Sequence, residues 1–168
     1  AKAEGKARVA VPSEEDVINV FRSISEKGLV IQRAVEERRI VPYFQPILAT
    51  ADDEIEAVEV LSRIDLGDTV MGAGEFIEIA EKMGVIDRID YIMIEKALAE
   101  VDRSGFEGMV FINLSPRALV LAEFLPTVRG LVERTGVAKE RIVFELTERD
   151  TVKNIQLLEK FVQELRLE

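Results

Sequence analysis

Two strand-like runs, Val41 to Ala49 and Ile55 to Ile64, flank Thr50-Ala51-Asp52-Asp53-Glu54, a polar stretch of hairpin length. This pair is expected to be antiparallel. Beyond it, each long strand-like run is reached through helix-like sequence. Gly72-Ala73-Gly74 leads into a helix carrying Phe76, Ile77, Ile79 and Ala80 and ending near Gly84. A longer helix covers roughly Ile86 to Asp102 and closes at Ser104-Gly105. A strand (108 to 114), a broken helix (116 to 135), a strand (141 to 147) and a helix (150 to 166) complete the pattern. Helix–strand alternation after an opening hairpin predicts an α/β fold with a mostly parallel sheet covered by helices.

Upstream of the hairpin, residues 1 to 12 are small, charged and weakly patterned, and they read as a tail. Ser13-Glu14-Glu15-Asp16 supplies a helix N-cap with acids in the first turn. Val17, Val20, Phe21 and Ile24 then recur at helical spacing, and Leu29, Ile31, Val35 and Ile40 continue the pattern less regularly. Residues 14 to 38 are therefore expected to form one helix or two, with Gly28 as the break. Its expected role is to pack on the domain or to connect it to another copy or an upstream module. The division is residues 1–37 as tail and linker or packing helix, and 38–168 as the domain.

Composition narrows the chemistry. The chain has no cysteine and no histidine, so thiolate chemistry, disulfides, the usual zinc ligand and the usual general base are excluded. A formal charge of −10 over 168 residues disfavours nucleic-acid backbone and anionic membrane as main partners. No apolar stretch approaches the roughly 18 residues of a membrane span, and the charged N-terminus does not read as a signal peptide. The expected location is the cytoplasm.

Three apolar runs carry polar oxygen donors that a core strand would avoid. They are Ala57-Val58-Glu59-Val60-Leu61-Ser62-Arg63, Val110-Phe111-Ile112-Asn113-Leu114-Ser115 and Ile142-Val143-Phe144-Glu145-Leu146-Thr147-Glu148. Strand alternation puts Glu59, Leu61 and Arg63 on one face, and it likewise groups Tyr43 with Gln45, Phe111 with Asn113, and Val143 with Glu145. In one reading, Gln45, Glu59, Arg63, Asn113 and Glu145 converge on one cavity, where carboxylate and amide oxygens suit a hard divalent cation. In the other, Glu59 pairs with Arg63 while Asn113 and Glu145 cap the following helices. Glu148 would then be an ordinary first-turn acid. Three oxygen donors on three strands with apolar neighbours favour convergence, because an unpaired buried carboxylate is unfavourable.

The same residues carry a family resemblance. Tyr43-Phe44-Gln45-Pro46-Ile47, Glu59-Val60-Leu61-Ser62-Arg63, Phe76-Ile77 with Ala80-Glu81, Asn113-Leu114-Ser115 and Glu145-Leu146-Thr147-Glu148 stand in the order seen in EAL domains. That family comprises the cyclic di-GMP phosphodiesterases and their inactive relatives. The resemblance runs from about residue 38 onward. It implies a TIM-type (β/α) barrel with an antiparallel opening hairpin, present here as about half a barrel. It further implies hydrolysis of one phosphodiester bond of cyclic di-GMP, dependent on Mg²⁺ or Mn²⁺. By the resemblance, Glu59, Asn113 and Glu145 are metal ligands, Gln45 and Arg63 contact the dinucleotide, Leu61 lines the guanine pocket, and Glu148 steadies a nearby loop.

The departures shape the expected function. The signature reads Glu-Val-Leu in place of Glu-Ala-Leu. Arg63 is followed by Ile64-Asp65-Leu66-Gly67, where the family shows an aromatic residue and then a His-Pro region. The 168 residues hold no Asp-Asp-Phe-Gly motif, which in the family supplies the opposite ligands. The chain as given is accordingly expected to lack turnover. The alternatives are a non-catalytic EAL-like module binding a nucleotide or a protein, and a half-barrel that assembles. Unpaired sheet edges predict self-association or pairing with the other barrel half.

Overall fold

The computed structural model describes residues 13–51, 53–146 and 155–166. One continuous helix, α1 (Glu14–Glu36), opens the chain, and it does not break at Gly28. Its start is a reciprocal cap: Ser13 Oγ accepts from Asp16 N at 3.1 Å, and Asp16 Oδ2 accepts from Ser13 N at 3.0 Å. The hairpin follows as β1 (Ile40–Leu48) and β2 (Ile55–Asp65), then a short strand β3 (Val70–Gly72) that the sequence pattern did not reveal. Helices α2 (Ala73–Met83) and α3 (Ile86–Ser104) come next, then β4 (Met109–Asn113). A 3₁₀ turn (Pro116–Val120) and α4 (Phe124–Glu133) realise the expected broken helix. The last described elements are β5 (Ile142–Glu145) and α5 (Ile155–Arg166). Left-handed glycines stop α2 and α3, Gly84 at φ 71° and Gly105 at φ 66°.

The sheet runs β1-β2-β4-β5, with β3 on β2. β1 and β2 are antiparallel, while β2, β4 and β5 are mutually parallel, the topology expected from the alternation. Burial separates the two faces. Val58, Val60, Ile64, Val110 and Ile112 are buried beneath the helices with Phe76, Ile94, Leu98 and Phe124. On the other face Glu59, Leu61, Arg63 and Phe111 are half-buried, and Gln45 and Asn113 are exposed. That face, which in a closed barrel would point inward, is the one carrying the oxygen donors. No helix among the described residues is long and apolar enough to cross a membrane.

Candidate functional site

Register places the candidate residues. Across the hairpin Gln45 lies opposite Glu59, Tyr43 opposite Leu61 and Val41 opposite Arg63. Across the parallel pairs Glu59 neighbours Phe111, and Asn113 neighbours Glu145. Gln45, Glu59, Asn113 and Glu145 therefore share one face, each on its own strand. Asn113 Nδ2 donates to Glu59 Oε1 at 3.0 Å, tying β2 to β4 through these side chains. The backbone continues the tie to β5, where Leu114 N donates to Glu145 O at 2.9 Å.

Arg63 does not take the pairing role with Glu59 that strand spacing permitted. Its Nη1 donates to Ser62 O at 2.8 Å, and its Cζ sits 5.6 Å from the centre of the Tyr43 ring. After Arg63 the chain turns at once into β3. Leu66 N donates to Thr69 O at 2.9 Å and Gly67 N to Asp65 Oδ1 at 2.8 Å, so Asp65 is consumed by the turn. Glu148 lies outside the described residues.

The strands also part where the site begins. β2 pairs with β4 through residues 57 to 60 and with β3 from Arg63 onward, which leaves Leu61 and Ser62 without a strand on that side. A cavity of about 230 Å³ occupies the gap, lined among others by Leu61, Ser62, Ile77, Asp90, Asn113 and Ser115.

Sequence reasoning missed Asp90. It lies in the second turn of α3 and is almost fully buried. One carboxylate oxygen, Oδ2, accepts from both Ser115 N (3.2 Å) and Ser115 Oγ. Two turns of restraint thus run from α3 to the segment after β4, the other being the Asp87–Arg117 ion pair at 3.1 Å. Together they fix the chain immediately beyond Asn113. No sequence signal marks Asp90, because an acid in a helix normally reads as part of a solvated face.

Burial pushes the Asp90 carboxyl up to about 7 from its ordinary 3.8, against the opposing hydrogen bonds from Ser115. Between these values the folded chain keeps a proton that the unfolded chain releases. Stability therefore falls as pH rises from about 4 to about 7, by roughly 4 kcal/mol at most, and is flat above. Asp90→Asn, which keeps an acceptor for Ser115 but cannot ionise, is expected to remove this slope. Urea unfolding of both proteins across the pH range checks it, and parallel slopes would contradict the assignment.

Among the described residues no three Asp or Glu side chains gather closely enough to hold an ion alone. The donor set is instead two carboxylates, Glu59 and Glu145, with the Asn113 amide hydrogen-bonded to Glu59 and in register with Glu145. Mg²⁺ commonly takes one or two protein carboxylates and completes its shell with water and substrate oxygens. Half-buried and exposed positions leave access for such ligands.

The EAL domain family model matches residues 30–167. The chain is 26% identical over 141 residues to "Signaling protein YkoW" of Bacillus subtilis, covering 82% of this chain and 18% of that protein. It is 29% identical over 141 residues to the cyclic di-GMP phosphodiesterase NbdA of Pseudomonas aeruginosa, covering 81% and 18%. The chain thus spans about a fifth of the length of these relatives. Among solved structures, the FimX EAL domain of Xanthomonas citri in complex with c-diGMP superposes with a TM-score of 0.75 at 18% identity, covering 88% of this chain and 58% of that one. The FimX EAL domain of Pseudomonas aeruginosa bound to c-di-GMP gives 0.75 at 22%, covering 84% and 58%. These likenesses establish the fold as that of part of a TIM-like EAL barrel.

Proposed function

Because this chain belongs to the EAL domain family, we propose that its open face, at the ends of β2, β4 and β5, is one wall of a site for cyclic di-GMP and divalent cations. The observation that carries this reading is the 3.0 Å hydrogen bond between Asn113 and Glu59, with Glu145 in register beside Asn113. The bond joins donors on β2 and β4, and the register sets a third on β5 beside them. Glu59, Glu145 and the Asn113 amide oxygen would hold Mg²⁺ or Mn²⁺. Bound there, the metal would lower the pKa of a coordinated water and neutralise charge building on the phosphate.

The remaining roles belong to the chain's own side chains. Arg63, poised on the Tyr43 ring, offers a planar pair of donors to a phosphate oxygen. Gln45, exposed and opposite Glu59, would hydrogen-bond the dinucleotide. Leu61 lines the cavity beside β4 and supplies an apolar wall for a base. In the complete domain the reaction is addition of water to one phosphodiester, opening the ring to the linear dinucleotide. Glu148 is assigned to loop support by the family motif alone.

For these 168 residues by themselves we propose binding without turnover. The donors described sit on one wall, and the Asp65 carboxylate is held in the turn after Arg63 by Gly67 N. Incubating the pure chain with cyclic di-GMP and Mn²⁺ is expected to yield no linear dinucleotide by chromatography. Product that disappears in Glu59→Gln would overturn this assignment.

A further inference from the structure

Among the described residues nothing covers the first half of α1. Every residue from 14 to 26 is exposed, whereas the same helix buries Ile31, Ala34 and Val35 in the domain. The exposed half nevertheless carries an apolar stripe, Val17, Val20, Phe21 and Ile24, with Phe21 68% and Ile24 47% exposed. On the helix wheel this stripe continues the buried face, since Val17, Phe21, Ile24, Gly28, Ile31 and Val35 alternate in steps of four and three. An isolated helix of this length is marginal in water, and a contiguous apolar patch of this kind marks a contact surface.

We propose that this half-helix pairs antiparallel with the same segment of a second copy of this chain, across a twofold axis at the Val20–Phe21 bond. The sequence has the symmetry such a contact demands. Read outward from that bond, Val20 mirrors Phe21, Val17 mirrors Ile24, Asn19 mirrors Arg22 and Glu14 mirrors Lys27. Each of the four stripe residues therefore meets another stripe residue of the other copy, as an isologous interface requires, while Ile18 beside the stripe faces Ser23. Charge selects the direction. Glu14 and Lys27 flank the stripe, so antiparallel pairing sets an acid against a base at both ends. Lys27 lies only loosely, at 3.8 Å, near Glu75 of its own domain. Parallel pairing would instead stack Glu14, Glu15 and Asp16 on their own copies and align the two helix dipoles. The other mirrored acids, Glu15 and Glu26, point away from the stripe. Beyond Lys27 the seam runs into the domain, with Gly28 beside Met83 and Ile31 and Val35 buried.

The chain's lack of cysteine makes the test clean. Sedimentation velocity across a concentration series is expected to show a dimer. Phe21→Asp, and independently Ile24→Lys, should weaken it at least 100-fold without changing the circular dichroism of the domain. In the antiparallel pair residue 17 lies beside residue 24 of the other copy and about 10 Å along the axis from residue 17, beyond disulfide reach. Oxidising a mixture of Val17→Cys and Ile24→Cys should therefore give the mixed disulfide, and neither variant alone should cross-link. A monomer at all concentrations, a dimer indifferent to both charge substitutions, or efficient self-cross-linking of Val17→Cys would overturn the proposal.

Discussion

Glu59→Gln is expected to weaken cation-dependent cyclic di-GMP binding at least about 100-fold, close to 3 kcal/mol, when Mn²⁺-containing solutions are titrated calorimetrically. The substitution is chosen because it isolates charge. Glutamine has the shape of glutamate and keeps an oxygen to accept from Asn113 Nδ2, the contact that ties β2 to β4 at 3.0 Å. What it removes is one of two carboxylates on the wall, and a hard cation gains far more from an anionic oxygen than from a neutral one. Unchanged thermal unfolding should accompany the loss, since Glu59 is half-buried and packs in no part of the core. If affinity survives, Glu59 serves only as a hydrogen-bond partner of Asn113 and holds no cation.

Gly108→Ala should destabilise the fold by about 3 kcal/mol and lower Tm by about 10 °C. Gly108 immediately precedes β4, where Met109 takes its place beside Ala57. A Cβ there would stand 2.4 Å from the Glu56 carbonyl oxygen and 2.3 Å from Phe106 Cζ. The ring can swing, but the carbonyl belongs to the backbone of β2 itself and cannot yield without moving the strand. The Gly108 carbonyl also accepts from Arg141 Nε at 3.1 Å, so the displacement would reach the approach to β5. Gly74→Ala is the control of opposite sign: nothing lies within 4 Å of its added methyl, and it sits in α2, where alanine is favoured over glycine by about 1 kcal/mol. Thermal unfolding of the two variants side by side checks both directions.

Much of this arrangement could be read from residue order. The hairpin was visible because a polar loop separates two β-branched runs, and the faces of Glu59, Asn113 and Glu145 follow from strand alternation alone. Their convergence needed the register, which is set by tertiary pairing: only that puts Gln45 opposite Glu59 and Asn113 beside Glu145. β3 escaped notice because three residues, Val70-Met71-Gly72, carry no period. Gly28 suggested a break that α1 does not make, since its packing toward Met83 outweighs the local preference of glycine. Asp90 was invisible for a different reason. Its partner Ser115 is 25 residues away, and a buried acid in a helix looks like a surface one until the fold brings that partner to it. Thr147 and Glu148, the end of the fifth motif, fall outside the described residues.

The wild-type titration bears most directly on the central claim that the ends of β2, β4 and β5 form one wall of a cation and dinucleotide site. With Mn²⁺ present, cyclic di-GMP is expected to bind this chain with micromolar affinity, and Arg63→Ala should abolish the heat. Absence of binding by the wild type, or binding undiminished in Arg63→Ala, would contradict it.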